Sequence, residues 1–234
     1  MLPVLLACTL IACENSYWSC LRGNGTIETE TRELQYFDGV VTEGEFEVFY
    51  IPDTAYYMVL ETDQNLMPYI RSQISGNTLV VDNGTRKCLR SEYPIRIFVY
   101  APEITLMSLV GSGMISAESV YSDELNLYIE GSGYIDIKGI DVQDLQVVIT
   151  GYGDVDLWGE ADIAGYLIEG SGTIRAENLV SNTCLADISG SGEIYCNALE
   201  KLDVLISGSG TIYYRGNPAI TTNISGSGSL ISID

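Results

Sequence analysis

The stretch Ile129-Glu130-Gly131-Ser132-Gly133-Tyr134-Ile135 returns twenty residues later as Ile149-Thr150-Gly151-Tyr152-Gly153-Asp154-Val155. Gly-Ser-Gly stands at 111–113, 131–133, 170–172, 190–192, 208–210 and 226–228, and Gly151-Tyr152-Gly153 fills the remaining gap. Successive first glycines are 20, 20, 19, 20, 18 and 18 residues apart. Two residues before them come Leu109, Ile129, Ile149, Ile168, Ile188, Ile206 and Ile224. Four residues after them come Ile115, Ile135, Val155, Ile174, Ile194, Ile212 and Leu230. Both columns are aliphatic and mostly β-branched, which suits a pleated, buried surface. Polar residues such as Asn126, Asp136, Asp156 and Arg175 lie between them. Alternation of period two means strands with one face in and one face out.

Each repeat therefore reads as a strand, a Gly-x-Gly corner, a second strand and a return. Equivalent positions carry equivalent residues, so they are expected to stack. A parallel β-solenoid requires this; an antiparallel meander with Gly-Ser-Gly hairpins does not. The expected fold is all-β, a parallel β-solenoid or β-helix of about seven 18–20-residue repeats over residues 105–234. The glycines suit a corner that needs positive φ, or one where stacked backbones crowd. Residues 33–104 are strand-rich but less regular, with candidates at 45–51, 57–62, 78–81 and 95–100 and a helical turn at 65–70. They read as an N-terminal β-rich cap that blocks the open end of the stack.

Residues 1–12 are apolar and uncharged, too short to span a membrane and suited to a secretory signal. Leu10-Ile11-Ala12-Cys13 resembles a bacterial lipobox, so Cys13 is the expected lipid attachment and residues 13–32 a tether. This places the protein in the bacterial cell envelope, as an outer-membrane lipoprotein facing the periplasm or the surface. Losing Cys8 with the signal and Cys13 to lipid leaves Cys20, Cys88, Cys184 and Cys196, enough for two disulfides in an exported protein. Cys184 lies six before Gly190 and Cys196 six after it, both at inward parity. A Cys184–Cys196 disulfide across one coil is expected, with Cys20–Cys88 following by elimination; two free buried thiols are the alternative.

Of 234 residues, 32 are Asp or Glu and 11 Lys or Arg, for a net charge of −21, with no histidine. The missing histidine removes Ser-His-Asp and Cys-His relays and His-ligated zinc. The charge disfavours nucleic acid and anionic headgroups as partners. The 46% hydrophobic content argues against disorder. Residues 111–234 alone carry a net −14, yet their acidic residues lack the strict nine-residue pattern of calcium-binding β-helices, so no metal and no cofactor is expected. Asp154 and Asp156 share one strand face about 7 Å apart, a spacing open to inverting glycoside hydrolysis. Short repeats leave little chain for a catalytic cleft, and no Arg or Lys is evident beside the pair. Tyr128, Tyr134 and Tyr152 fall at outward or corner positions and are the candidate binding surface, since exposed aromatics stack on sugars or anchor protein interfaces.

With Phe37-x-x-Val40, Asp63-x-Asn65-Leu66, Gly76-Asn77-Thr78-Leu79 and the recurrent Gly-Ser-Gly preceded by Ile, the chain resembles the auto-transporter adhesin family with a head GIN domain, over roughly residues 33–234. The resemblance implies an all-β solenoid-like domain behind a lipoprotein or secretory signal, and an adhesin role; it carries no catalytic residues. The expected function is an exported, lipid-anchored, adhesin-like binding or envelope scaffold without catalysis. It would meet the membrane through its lipid and a glycan or envelope protein through its surface. A carbohydrate-active β-helix enzyme and a self-associating structural protein are the alternatives.

Overall fold

The computed structural model describes residues 20–233, so the expected signal and Cys13 lie outside the described residues. The N-terminal strands are β1 (Leu21–Arg22), β2 (Ile27–Glu33), β3 (Gly39–Glu43), β4 (Phe46–Pro52), β5 (Tyr57–Asp63), β6 (Ile70–Ser75), β7 (Thr78–Asn83), β8 (Leu89–Arg90) and β9 (Ile95–Ala101). The repeats supply β10 (Leu106–Gly111), β11 (Met114–Ala117), β12 (Val120–Gly131), β13 (Tyr134–Gly151), β14 (Asp154–Gly170), β15 (Thr173–Gly190), β16 (Glu193–Gly208), β17 (Thr211–Arg215), β18 (Ala219–Gly226) and β19 (Ser229–Ser232). A 3-10 turn, Met67–Tyr69, stands where a helical turn is expected.

The repeats stack as a parallel β-solenoid of about six turns. Ile129 pairs with Ile149, Ile149 with Ile168, Ile168 with Ile188 and Ile188 with Ile206, always parallel. This pairing rules out the meander. The aliphatic columns form the core: Ile149, Ile168, Ile188 and Ile206, and opposite them Ile135, Val155, Ile174 and Ile194, are all fully buried. Burying each such side chain contributes about 1.5–3 kcal/mol.

The corners use their two glycines differently. Gly190 has φ +140°, and a Cβ there would lie 2.2 Å from the carbonyl oxygen of Gly170 one rung below. The second glycine of each corner has no positive φ; it is required by crowding alone. The ladder runs unbroken through the corner: Ser191 N–H donates to Gly170 O at 2.8 Å and Glu193 N–H to Gly172 O at 3.0 Å. The two faces are thus one curled sheet.

At the N-terminal end the rungs are out of chain order. β3 pairs with β10 on one side and β7 on the other, and β4 likewise with β11 and β9. The stack therefore runs β7/β9, then β3/β4, then β10/β11. Beyond it, β6 pairs antiparallel with β7, β5 antiparallel with β9, and β2 antiparallel with β5. Residues 39–52 and 78–101 are rungs of the same solenoid, and the antiparallel strands do the blocking. Loop 84–94 replaces the short corner between β7 and β9. It is tied down by β8, which pairs with β1, and by Cys20 and Cys88, whose sulfurs lie 1.99 Å apart, at disulfide distance.

The expected Cys184–Cys196 disulfide is not formed. Both are free, fully buried thiols, and their contact with each other, followed by burial, pushes the Cys184 thiol well up. Inward parity brought the side chains together across one coil. Parity says nothing of the Cα separation and Cβ direction that a disulfide needs.

Candidate binding surface

On the face preceding each corner, the outward columns lie five and three residues before the first glycine. The first reads Gln146, Gly165, Leu185, Asp203 from rung to rung, and the second Val148, Leu167, Asp187, Leu205. Outward parity normally carries polar side chains. Here Ile163, Leu185 and Leu205 are 45%, 46% and 42% exposed, with Leu167 half-buried between them. Gly165 presents no side chain, and the Gln146 amide lies over it: a Cβ at 165 would stand 2.3 Å from Gln146 Oε1.

The result is a trough of about 500 Å³ with an apolar floor. That volume falls within the range of small-ligand sites, roughly 300–1,000 Å³. Glu124, Asp144, Asp187 and Asp203 also line it, Asp187 stacked between Leu167 and Leu205 and Asp203 beside Leu185. Burial, reinforced by Glu169, raises the Asp187 carboxyl above its usual range, whereas the Lys201 hydrogen bond pulls Asp203 below it. Aliphatic side chains interleaved with carboxylates suit a partner that carries both apolar and cationic groups.

The three tyrosines singled out in the sequence do not share a surface. Tyr128 is 38% exposed on the trough's face, Tyr152 is 73% exposed at the corner, and Tyr134 lies half-buried on the opposite face. The Tyr134 hydroxyl donates to Asp156 Oδ2 at 2.7 Å, and burial followed by that bond raises its pKa. The Asp154 and Asp156 pair is likewise engaged. Arg175, one rung on, reaches Asp156 Oδ1 at 3.0 Å and Asp154 Oδ1 at 3.4 Å. Arg175 is 19 residues from Asp156 along the chain and stacks on it only in the folded register, contrary to the expectation of no basic residue beside the pair. A carboxylate pair held by a guanidinium and a phenol is a structural ladder. Among the described residues no cluster of three or more His, Cys, Asp or Glu is placed to hold a metal ion.

Asp136 stacks below Asp156, and its Oδ1 is buried without a hydrogen-bond partner. Burial is the main cause of its raised pKa, with Lys138 opposing. A carboxyl whose folded pKa exceeds its unfolded value binds extra protons when folded, so its contribution to stability falls as pH rises through that window. Asp136→Asn is therefore expected to raise Tm at pH 7, and the gain should shrink as pH falls through the folded pKa toward the ordinary aspartate range. Thermal melts of both proteins across pH 3.5–7 check this.

The trough residues escaped the sequence reading, although a signal existed. Tyr166-Leu167-Ile168 and Val204-Leu205-Ile206 are unbroken apolar triplets, so their middle residues must face outward on a period-two strand.

Fold and surface together define a β-solenoid that presents a partly exposed apolar trough. The chain belongs to the family described as "Putative auto-transporter adhesin, head GIN domain", whose model matches residues 36–218. It is similar to the crystal structure of a "putative adhesin" from Bacteroides fragilis, with a TM-score of 0.87 and 28% identity over 91% of this chain and 100% of that one. A "putative lipid binding protein" from Parabacteroides distasonis shares the fold at TM-score 0.77 and 24% identity, covering 92% of this chain and 100% of its own. A "putative adhesin" from Parabacteroides merdae does so at TM-score 0.69 and 20% identity, over 92% and 99%. No curated protein matches the chain. The adhesin descriptions fit a non-enzyme at the cell surface or outside the cell.

Proposed function

We propose that this chain is an exported, lipid-anchored adhesin-like scaffold without catalytic activity, held to the bacterial cell envelope, as an outer-membrane lipoprotein, through Cys13. It binds its partner in the trough between Ile163 and Leu205. The observation that carries the reading is the trough itself: three large aliphatic side chains more than 40% exposed on an otherwise polar, acidic face. Exposed apolar patches rimmed by polar residues mark interaction sites. The partner that suits it best is an envelope protein presenting an apolar, basic segment; a glycan is the second reading, favoured by Tyr152 at the corner. Two features support the anchor. The exposed Arg22, Arg86, Lys87 and Arg90 lie on and beside the β1–β8 pair next to Cys20–Cys88, seven residues along the chain from Cys13. The disulfide proposed there suits an oxidising compartment.

Leu185→Gln/Leu205→Gln, both at outward positions and adding no charge beside Asp187 and Asp203, is expected to leave the circular dichroism spectrum and Tm unchanged. Capture of an envelope component by the immobilised chain should fall at least about tenfold, equivalent to 1.4 kcal/mol. Equal capture by parent and variant overturns the trough as the site. Palmitate incorporation that Cys13→Ala does not abolish overturns the anchor.

A further inference from the structure

The net charge of −21 disfavours anionic partners for the chain as a whole, yet its positive charges are unevenly placed. Six of the eleven Lys and Arg side chains, Arg32, Arg71, Arg96, Lys138, Arg175 and Lys201, are ion-paired with carboxylates. Four of the other five, Arg22, Arg86, Lys87 and Arg90, fall on β1, on β8 and in the loop that carries Cys88. All four are exposed, and among the described residues none has a carboxylate partner.

Two of these cations are set side by side. β1 and β8 are parallel, and Arg22 is the register partner of Arg90. Register partners on adjacent strands present their side chains to the same side, about 5 Å apart. Like charges placed so are destabilising unless an anion lies between them. A cavity of about 510 Å³ opens beside Arg90, between loop 84–94 and the corner at Gly44 and Glu45. Leu89, Tyr93 and Pro94 line it, and Tyr93 is 58% exposed. Glu45 and Glu92 line it as well, but neither is ion-paired with Arg90.

We infer that this basic patch docks on the phosphate headgroups of an anionic membrane, so that the folded body rests on the bilayer that holds its anchor. Guanidinium forks match phosphate oxygens, so one phosphate between Arg22 and Arg90 relieves their repulsion and satisfies both. Each Lys or Arg brought to an anionic surface strengthens association about fivefold. Tyr93, apolar in its ring and polar at its tip, suits the headgroup layer. The inference rests on the proposed anchor for proximity: Cys20 is seven residues from Cys13, a reach of at most about 25 Å. The repeats, which hold most of the negative charge, begin two rungs beyond β7/β9. At about 4.8 Å per rung they lie farther from the patch than the screening length of about 8 Å at physiological salt.

Vesicle flotation of the full chain carrying Cys13→Ala, which removes the lipid site, tests this. Vesicles of phosphatidylcholine with about 30% phosphatidylglycerol are compared with phosphatidylcholine alone, which subtracts any insertion of the apolar residues 1–12. Excess flotation on the anionic vesicles is expected, half-maximal near about 1 mM lipid. It should vanish at about 1 M salt, where the screening length falls to about 3 Å. Lys87→Gln/Arg90→Gln should weaken it at least about tenfold and leave Tm unchanged, since both side chains are exposed and unpaired. Lys138→Gln/Arg215→Gln removes the same charge elsewhere and should float as the parent does. No excess over neutral vesicles up to about 10 mM lipid, an excess that salt leaves intact, or equal losses in the two variants overturns the proposal. Retention on an acidic polysaccharide without flotation also overturns it, by giving the patch a different partner. Because the Cys13→Ala chain carries no lipid, each of these results leaves palmitate incorporation at Cys13, and the anchor with it, standing.

Discussion

Gly190→Ala is expected to lower stability by at least about 3 kcal/mol, a Tm drop of about 6–12 °C for a domain of this size. Two effects add at this residue. Its φ of +140° is a conformation that L-residues rarely adopt. The new Cβ would stand 2.2 Å from Gly170 O, which already accepts the Ser191 N–H. That oxygen is backbone, so it can retreat only by opening the ladder. Gly76→Ala gives an uncrowded and conformationally milder reference: Gly76 has φ +63°, close to the left-handed region that L-residues do visit, with nothing within 4 Å of its absent Cβ. It should lose only the conformational part, about 1–2 kcal/mol. Thermal unfolding followed by circular dichroism compares them. Equal losses at the two positions would show that rung crowding contributes nothing.

The second large effect tests whether the columns interlock from rung to rung. Ile129 is 2% exposed, and Ile129→Ala should cost about 2–4 kcal/mol. Its Cγ2 lies 2.6 Å from where a Cβ on Gly153 would sit, while Gly133 O is 3.1 Å away. Gly153 has no positive φ, so Gly153→Ala is resisted mainly by the stiff, β-branched Ile129, at about 1–3 kcal/mol. In the double variant the alanine methyl enters the space that Cγ2 leaves. The combined loss should therefore fall short of the sum by about 1 kcal/mol. Strict additivity in urea titrations would mean that the isoleucine of one rung and the glycine of the next do not share that space.

The solenoid was legible because its signal is local and repeated. Ile129, Ile149 and Ile168 recur at one offset from a glycine, and period-two parity then sorts every neighbour inward or outward. The N-terminal rungs were not legible as rungs. β3 pairs with β7 across some forty residues, no Gly-x-Gly marks the register, and loop 84–94 hides the corner. The family resemblance reached the fold and the adhesin role by another route, yet it supplied no site residues. The candidate site was half legible. Parity placed Tyr128, Tyr134 and Tyr152 outside the core but could not show that they sit on different sides. The same parity, applied to Leu185 and Leu205, would have found the trough, had aliphatic residues at outward positions been weighed as an anomaly. Arg175 beside Asp154 and Asp156 needed the rung spacing, which neighbours along the chain do not reveal.

The misplaced rung at the N-terminal end bears on how the molecule comes into being. β3/β4 is first in the chain but second in the stack, with a later segment on each side of it. No process that lays down rungs in chain order from one end can build this structure. An assembly that followed the chain would start from β3/β4 inside the stack and extend outward from it in two directions. One direction is a short excursion that turns back on itself and stops. The other is a regular extension in which each added rung closes a loop of only 18–20 residues. A chain threaded out of the cell N-terminus first would thus emerge with its template already in hand, and every later repeat would find a finished surface on which to settle.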